Sequence, residues 1–296
     1  MAHRGVALIT GGCGGLGLSF ADRWLRTGGR LVKLVDLAPR AAADNAVSRL
    51  VAAHGAGKVE YVETDVTDSD ALSSVFAGAD GDGGRDLGLV VNNAGVGALG
   101  FEQWRAQLDV NLAAVVDGTR LALEVWGARG SAAADAREGE GDRVVVNVAS
   151  MAGLIPLSPS PVYSATKFGV VGFSRAMHAD ARRTHGRSVR VHALCPSFAR
   201  TGMMNEELME ADEATAKIVA MFGGLLTPDG VADATFEKLV DARDAKPVLH
   251  VTPLTGAAYD EPPSHPIESA VRNAYLRKVG VVEAARVLLG FKKKKK

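Results

Sequence analysis

Short apolar runs alternate along the chain with longer amphipathic stretches. The runs cover residues 6–10, 31–35, 59–62, 87–91, 144–148, 189–194 and 248–251. Each is rich in valine or leucine and lacks a clean polar–apolar alternation. A strand covered on both faces reads this way, whereas a half-exposed strand alternates with period two. The stretches between them are long enough for crossover helices. Strand and helix in alternation predict an α/β fold: a Rossmann-type, doubly wound, parallel seven-stranded sheet in the order 3-2-1-4-5-6-7.

Punctuation along the chain sets the domain plan. Residues 78–85 are rich in Gly and Asp, and residues 130–142 are rich in Ala, Gly and charge, so both read as surface insertions. From residue 259 the character changes to a Pro-rich linker. A helix-like segment follows over 267–291, then the lysines 292–296. The expected plan is one domain over 1–258 and a helical appendage over 259–296. A cationic end suits the C-terminus of such a helix. It also suits an acidic membrane surface, the alternative to a solvated tail.

Composition narrows the class. Of 296 residues, 47% are apolar, enough for a large core, and the 34 basic and 34 acidic residues cancel, unlike the basic excess of a nucleic-acid binder. Two cysteines, Cys13 and Cys195, make no disulfide framework and fit a reducing compartment. They read as small buried residues, with a redox-sensitive site as the alternative. There is no basic segment followed by an apolar leader, and no apolar run long enough to span a membrane. The histidines show no metal-ligand spacing, so no metal is expected. The expectation is a soluble cytoplasmic protein.

Two constellations carry chemistry. The first follows the 6–10 run: Thr10-Gly11-Gly12-Cys13-Gly14-Gly15-Leu16-Gly17, with a helical pattern after it. Glycines let the backbone turn tightly and approach a pyrophosphate, and the helix N-terminus offers N–H groups to it. Asp36 closes the second strand, where a carboxylate accepts bonds from a ribose diol and repels a 2′-phosphate. That points to NAD. Arg40, close by, would favour NADP if it read a 2′-phosphate. The second is Tyr163 and Lys167, four apart on a predicted helix and so on one face, with Ser150 upstream. An ammonium beside a phenol favours the phenolate, which can exchange a proton with an alcohol or ketone.

Together, Thr-Gly-x-x-x-Gly-x-Gly at 10–17, Asn92-Asn93-Ala94-Gly95, Asn111, Ser150, Tyr163 and Lys167 resemble the short-chain dehydrogenase/reductase family over residues 5–258. Pro161-Val162-Tyr163, the segment 167–173, Trp104 and the 249–259 stretch are most similar to its NAD-linked 15-hydroxyprostaglandin dehydrogenase branch. The resemblance implies an NAD-dependent alcohol dehydrogenase, in a homodimer or homotetramer. In it Gly11, Gly15, Leu16 and Gly17 form the nucleotide loop, and Asp65 and Val66 lie against the adenine. Asn92, Ala94 and Gly95 line the adenine-ribose side and brace the sheet. Asn111 holds a water in a relay to Lys167. Ser150 bonds the substrate oxygen, Tyr163 is the acid/base, and Lys167 bonds the nicotinamide ribose and lowers the phenol's pKa. The segment from Pro196 to Thr201 holds the carboxamide.

Two positions depart from the family pattern: Ser197 stands where glycine is usual, and Ser160 stands where the prostaglandin enzymes place a substrate-holding glutamine. Met203, Met204, Met209 and Met221 suggest either an apolar lid over the substrate or core packing. Glu206, Glu207 and Glu210 read as a solvated helix face. The expected reaction joins a secondary alcohol, apolar or lipid-like, to its ketone. An NADPH-linked carbonyl reductase and a catalytically silent NAD(H)-binding partner protein are the alternatives.

Overall fold

A computed structural model describes residues 4–80, 87–97, 100–128, 142–186, 188–202, 204, 210 and 212–260. Each predicted run forms a strand: β1 (Arg4–Thr10), β2 (Gly29–Asp36), β3 (Val59–Glu63), β4 (Leu87–Asn92), β5 (Arg143–Val148), β6 (Val189–Pro196) and β7 (Val248–Thr252). These seven are parallel and lie in the order 3-2-1-4-5-6-7.

The expected strand count needs one correction. An eighth strand, β8 (Gly256–Tyr259), pairs antiparallel with β7 at the sheet edge. Its Gly-Ala-Ala-Tyr sequence has neither the β-branched content nor the alternation that marks a strand. Gly256 takes a left-handed φ of 66°, which closes the tight turn out of β7. Tyr259 anchors the strand, its hydroxyl donating to the Lys238 carbonyl at 2.6 Å. The short hairpin also covers the open edge of β7.

Among the described residues, seven helices wrap the sheet: α1 (Gly15–Arg26), α2 (Arg40–His54), α3 (Ser69–Asp80), α4 (residues 104–128), α5 (Pro161–Thr184), α6 (Glu213–Met221) and α7 (Pro228–Thr235). Ala7 and Ile9 of β1 pack with Phe20 and Trp24 of α1 and Val231 of α7. Val6 and Leu8 face the other way, onto Phe76 of α3 and Leu121 and Trp126 of α4. Both faces of one strand are therefore in apolar cores, which is why the sequence pattern does not alternate. None of the described helices is long and apolar enough to cross a membrane.

Residues Met1–Tyr259 group as one compact unit and Asp260–Lys296 as another. The expected linker, helix and lysine tail beyond residue 260 lie outside the described residues, as do most of the 78–85 and 130–142 insertions. α3 reaches Asp80, so the first of those insertions begins inside a helix.

A buried polar network ties the sheet to the helices that carry the candidate chemistry. The Asn92 amide donates to Asn147 Oδ1 at 2.8 Å, and Asn147 Nδ2 donates to Ser174 Oγ of α5 at 3.0 Å. Thr119 Oγ1 of α4 donates to Asn147 Oδ1 at 3.1 Å. Gly118 lets α4 come this close, since a Cβ there would stand 2.3 Å from Asn92 Oδ1. Removing the centre of this network leaves several buried groups without partners. Asn147→Ala is expected to lower unfolding stability by about 3 kcal/mol, read from the urea midpoint.

Candidate active site

The crossovers bring the loops after β1, β2, β4, β5 and β6 to one edge of the sheet, outside the strand C-termini. Open α/β folds bind ligands at this edge. After β1 the chain turns at Gly11, with a φ of 61°. A Cβ at Gly11 would meet the Ala94 backbone at 2.9 Å, one at Gly12 would meet Leu34 at 2.9 Å, and one at Gly17 would meet the Gly11 carbonyl at 2.3 Å. Glycine is thus required sterically as well as conformationally. No side chain caps the α1 N-terminus at Gly14, so its first-turn N–H groups face the loop without a built-in acceptor. Asp36, at the end of β2, accepts from the Cys13 N–H at 2.9 Å and the Ala38 N–H at 3.1 Å. The segment after β4 clamps the loop: Thr10 Oγ1 accepts from the Asn93 and Ala94 amides at 3.0 and 3.1 Å, and Asn93 Nδ2 donates to the Thr10 and Gly11 carbonyls at 3.1 and 2.9 Å.

The proton-handling residues lie next along the edge. Two residues past the end of β5 stands Ser150, whose hydroxyl caps the short 3-10 turn Met151–Gly153 by accepting from the Ala152 N–H at 3.1 Å. Ser150 is also hydrogen-bonded to Tyr163, a contact that favours the phenolate. A relay therefore runs from the Ala152 N–H through Ser150 to the phenol. Gly153 makes the contact possible: a Cβ there would stand 2.5 Å from the Lys167 carbonyl, so only glycine lets the turn rest on α5. Lys167 projects from α5 one helical turn after Tyr163 and is buried, with its Nζ donating to the Val148 carbonyl at 3.0 Å. The same Nζ lies 5.6 Å from the centre of the Tyr163 ring.

Asn111 interrupts α4 with a π-turn over Asp109–Ala113, a distortion often found at functional sites. Its amide is held by one residue's backbone: Oδ1 accepts from the Val96 N–H at 2.8 Å and Nδ2 donates to the Val96 carbonyl at 2.9 Å. Gly95 lies between Asn111 and Lys167, because a Cβ there would be 3.2 Å from Asn111 Oδ1 and 3.8 Å from Lys167 Nζ.

The electrostatics differ from the sequence expectation. Burial is the largest influence on Tyr163 and raises its phenol above the ordinary value, with the Ser150 bond acting in the opposite sense. Lys167 is itself pushed down by burial, from 10.5 to about 8. The ammonium is bound to a backbone carbonyl rather than to the phenol, and desolvation outweighs its attraction for a phenolate.

The other predicted site residues occupy varied surroundings. The Asn92 amide points into the buried network that braces the sheet. Val66 is part of the core on one face of the sheet, and Leu16 packs against the core on the other. Asp65 is exposed and caps its own turn through the Thr67 N–H at 2.9 Å. Pro196 is buried at the end of β6, while Thr201 reaches Gly15, where a Cβ would meet its Cγ2 at 3.2 Å. Ser160 sits at the α5 N-cap without capping the helix through its side chain. Among the methionines, Met221 is exposed, Met204 bridges to Thr201, and Met203 and Met209 lie outside the described residues, with Glu206 and Glu207. Val96, Val148, Ala152 and Gly153 were missed because they act mainly through backbone groups or close packing, which leave no side-chain signature, whereas Thr10 and Asn93 stood in the motifs without a role.

A model of the short chain dehydrogenase family matches residues 5–212. The chain belongs to this family. Among relatives within it, 15-hydroxyprostaglandin dehydrogenase [NAD(+)] of Rattus norvegicus is 30% identical, over 86% of this chain and 94% of its own. The 2-(S)-hydroxypropyl-CoM dehydrogenase 3 of Xanthobacter autotrophicus is 32% identical, over 80% and 89%. A crystal structure of an actinorhodin polyketide ketoreductase variant with NADPH matches with a TM-score of 0.68 at 25% identity, covering 85% of this chain and 97% of that one. The short-chain dehydrogenase fold described above is thus shared with a reductase as well as with dehydrogenases.

The buried lysine has a measurable consequence. The unfolded chain holds the Lys167 proton up to the ordinary value of 10.5, while the folded protein releases it near 8. Within that window the unfolded state binds more protons, so Lys167 disfavours folding below pH 8 and the penalty disappears as pH rises. Relative to Lys167→Met, the parent protein should gain roughly 2–3 kcal/mol of stability between about pH 8 and pH 10, and the difference should be flat below that range. Urea unfolding of both proteins across this range measures it.

Proposed function

We propose that the protein is an NAD-dependent oxidoreductase that interconverts a secondary alcohol, apolar or lipid-like, and the corresponding ketone. The observation that carries this reading is the Ser150–Tyr163 hydrogen bond, beside buried Lys167, on the same sheet edge as an uncapped helix N-terminus and a sterically closed glycine loop. The residues fit a dinucleotide. The loop leaves no room for Cβ atoms at Gly11, Gly12 and Gly17, and the helix end suits a pyrophosphate. Asp36 retains acceptor capacity for a ribose diol beyond its two backbone bonds. Arg40 is occupied: its Nε donates to Asp44 at 3.0 Å, its guanidinium lies 5.5 Å from the Tyr61 ring centre, and its amide donates to Glu63 at 3.1 Å. A 2′-phosphate would meet the Asp36 carboxylate, which favours NAD over NADP, as do the NAD-linked relatives.

When bound, the nicotinamide supplies a hydride acceptor for the carbinol carbon, or a hydride donor for the carbonyl. The protein's own residues orient the oxygen and move the proton. In the oxidative direction Tyr163 accepts the hydroxyl proton at its phenolate oxygen, and in the reductive direction it returns it. Ser150, held by the Ala152 N–H, stabilises the phenolate and orients the substrate oxygen. Lys167 contributes positive charge in a poorly solvated pocket, where it acts more strongly than in water. Asn111 would hold a water in a relay to Lys167, as the family resemblance implies.

The apolar character of the substrate has support from the rim of this edge. Phe101, Ile155, Met221 and Leu254 are large apolar side chains left exposed, in or beside the connections that follow β4, β5, β6 and β7. Exposed apolar side chains at this end of the sheet suit a ligand with a hydrocarbon body.

Two measurements test the proposal. Tyr163→Phe should lower alcohol oxidation with NAD⁺ by about 10²–10⁴-fold while NADH binding is kept, read by cofactor absorbance and fluorescence. Unchanged turnover would mean that the acid/base is misassigned, and no turnover by the parent on any secondary alcohol would favour a silent binding protein. Asp36→Ala should shrink the preference for NAD⁺ over NADP⁺ by at least about tenfold in kcat/KM. A parent that binds NADPH more tightly than NADH would overturn the NAD assignment in favour of a carbonyl reductase.

A further inference from the structure

The side-chain oxygen of Ser197 is shielded from solvent and has no hydrogen-bond partner among the described residues. Shielding a hydroxyl without pairing it is unfavourable, and a hydrogen atom or methyl group in its place would avoid that penalty. The family resemblance leads one to expect glycine at this position, so the hydroxyl belongs to this chain.

Register places the group. On β6, Ala193 and Cys195 pack with Val170 and Val171 of α5, whereas Leu194 joins the core on the opposite face. The Ser197 N–H donates to the Val251 carbonyl at 2.9 Å, so the β6–β7 ladder continues past Pro196. Side-chain alternation then puts Ser197 on the Cys195 face, the face covered by the helix that bears Tyr163 and Lys167. Two residues along a strand span roughly 7 Å, here toward the C-terminal edge where the cleft opens. The Cys195 thiol, one step deeper, acts electrostatically on both Tyr163 and Lys167. Beyond Ser197 the segment runs on to Thr201, against Gly15 at the start of α1. A ligand stretched from the glycine loop to Tyr163 must cross this segment. Ser197 as a whole is only half-buried, and rotation about χ1 between staggered wells is enough to turn its hydroxyl toward such a ligand.

We propose that Ser197 Oγ is a hydrogen-bonding contact for the reacting end of the ligands in this cleft, pairing with a carboxamide or carbonyl group held between Tyr163 and the 196–201 segment. Two molecules carry that chemistry: the nicotinamide, through its carboxamide, and the substrate, through its ketone or hydroxyl. The inference rests on the dinucleotide assignment made above.

The test uses the full chain with Ser197→Ala and, as a second variant, Ser197→Gly. Ligand-free Ser197→Ala is expected to melt about 2–4 °C above the parent, because the unpaired hydroxyl is gone. If the carboxamide is the partner, NADH titration by fluorescence gives a Kd about 5- to 10-fold weaker in both variants. If the substrate is the partner, NADH binding is unchanged, and the alcohol KM rises by the same factor at saturating NAD⁺. Parent-like NADH affinity together with a parent-like alcohol KM in both variants would overturn the inference and leave the dinucleotide assignment standing. A parent that binds no NADH would overturn that assignment, and the Ser197 contact with it.

Discussion

A buried ammonium is the constraint around which this molecule is organised. Lys167 is almost fully enclosed, donates to the Val148 carbonyl at 3.0 Å and is pushed down to about 8 by desolvation. Holding that cation inside the fold is unfavourable by itself, and the surroundings are arranged to make it tolerable. The end of β5 supplies the carbonyl, and Gly153 lets the following turn rest on the backbone of α5. The same approach brings Ser150 into hydrogen-bond range of Tyr163. The destabilised cation and the proton-exchanging phenol therefore have one structural origin.

The nucleotide side obeys a different constraint, that of close backbone approach. The loop after β1 is held by Thr10 and Asn93, which satisfy backbone donors and acceptors on the two neighbouring segments. The buried chain from Asn92 through Asn147 to Ser174 locks β4, β5 and α5 in register. These contacts stabilise the sheet edge before any ligand arrives, so the functional groups are positioned by the scaffold rather than by mobile loops. The Ser197 hydroxyl at this edge differs, a polar group that has no hydrogen-bond partner among the described residues.

Much of the architecture was legible in the chain because parallel strands buried on both faces are apolar at most positions, with Asn92, Asn147, Arg190 and His192 as buried polar interruptions. The seven parallel strands follow from that pattern and their order from the Rossmann-type reading, while the Gly-rich loop and the Tyr163–Lys167 spacing follow from local geometry. β8 was not legible: Gly-Ala-Ala-Tyr owes its strand to the exposed edge of β7 and the anchoring of Tyr259, both of which are tertiary facts. The direction of the Asn92 amide was not legible for a similar reason: Gly118 and Asn147 let it turn into the core, where it braces the sheet.

The sequence by itself determined which residues could do chemistry, since glycine conformational freedom, helical spacing and residue type are local properties. Tertiary structure alone decided their environment. Burial, which depends on everything packed around a group, raises the Tyr163 phenol and lowers the Lys167 ammonium, and it brings Ser150 to the phenol. Packing of the loop after β1 against the end of β2 also sets Asp36 opposite the Cys13 N–H. Desolvation and proximity sum over residues far apart in the chain, so no local pattern of amino acids can encode them.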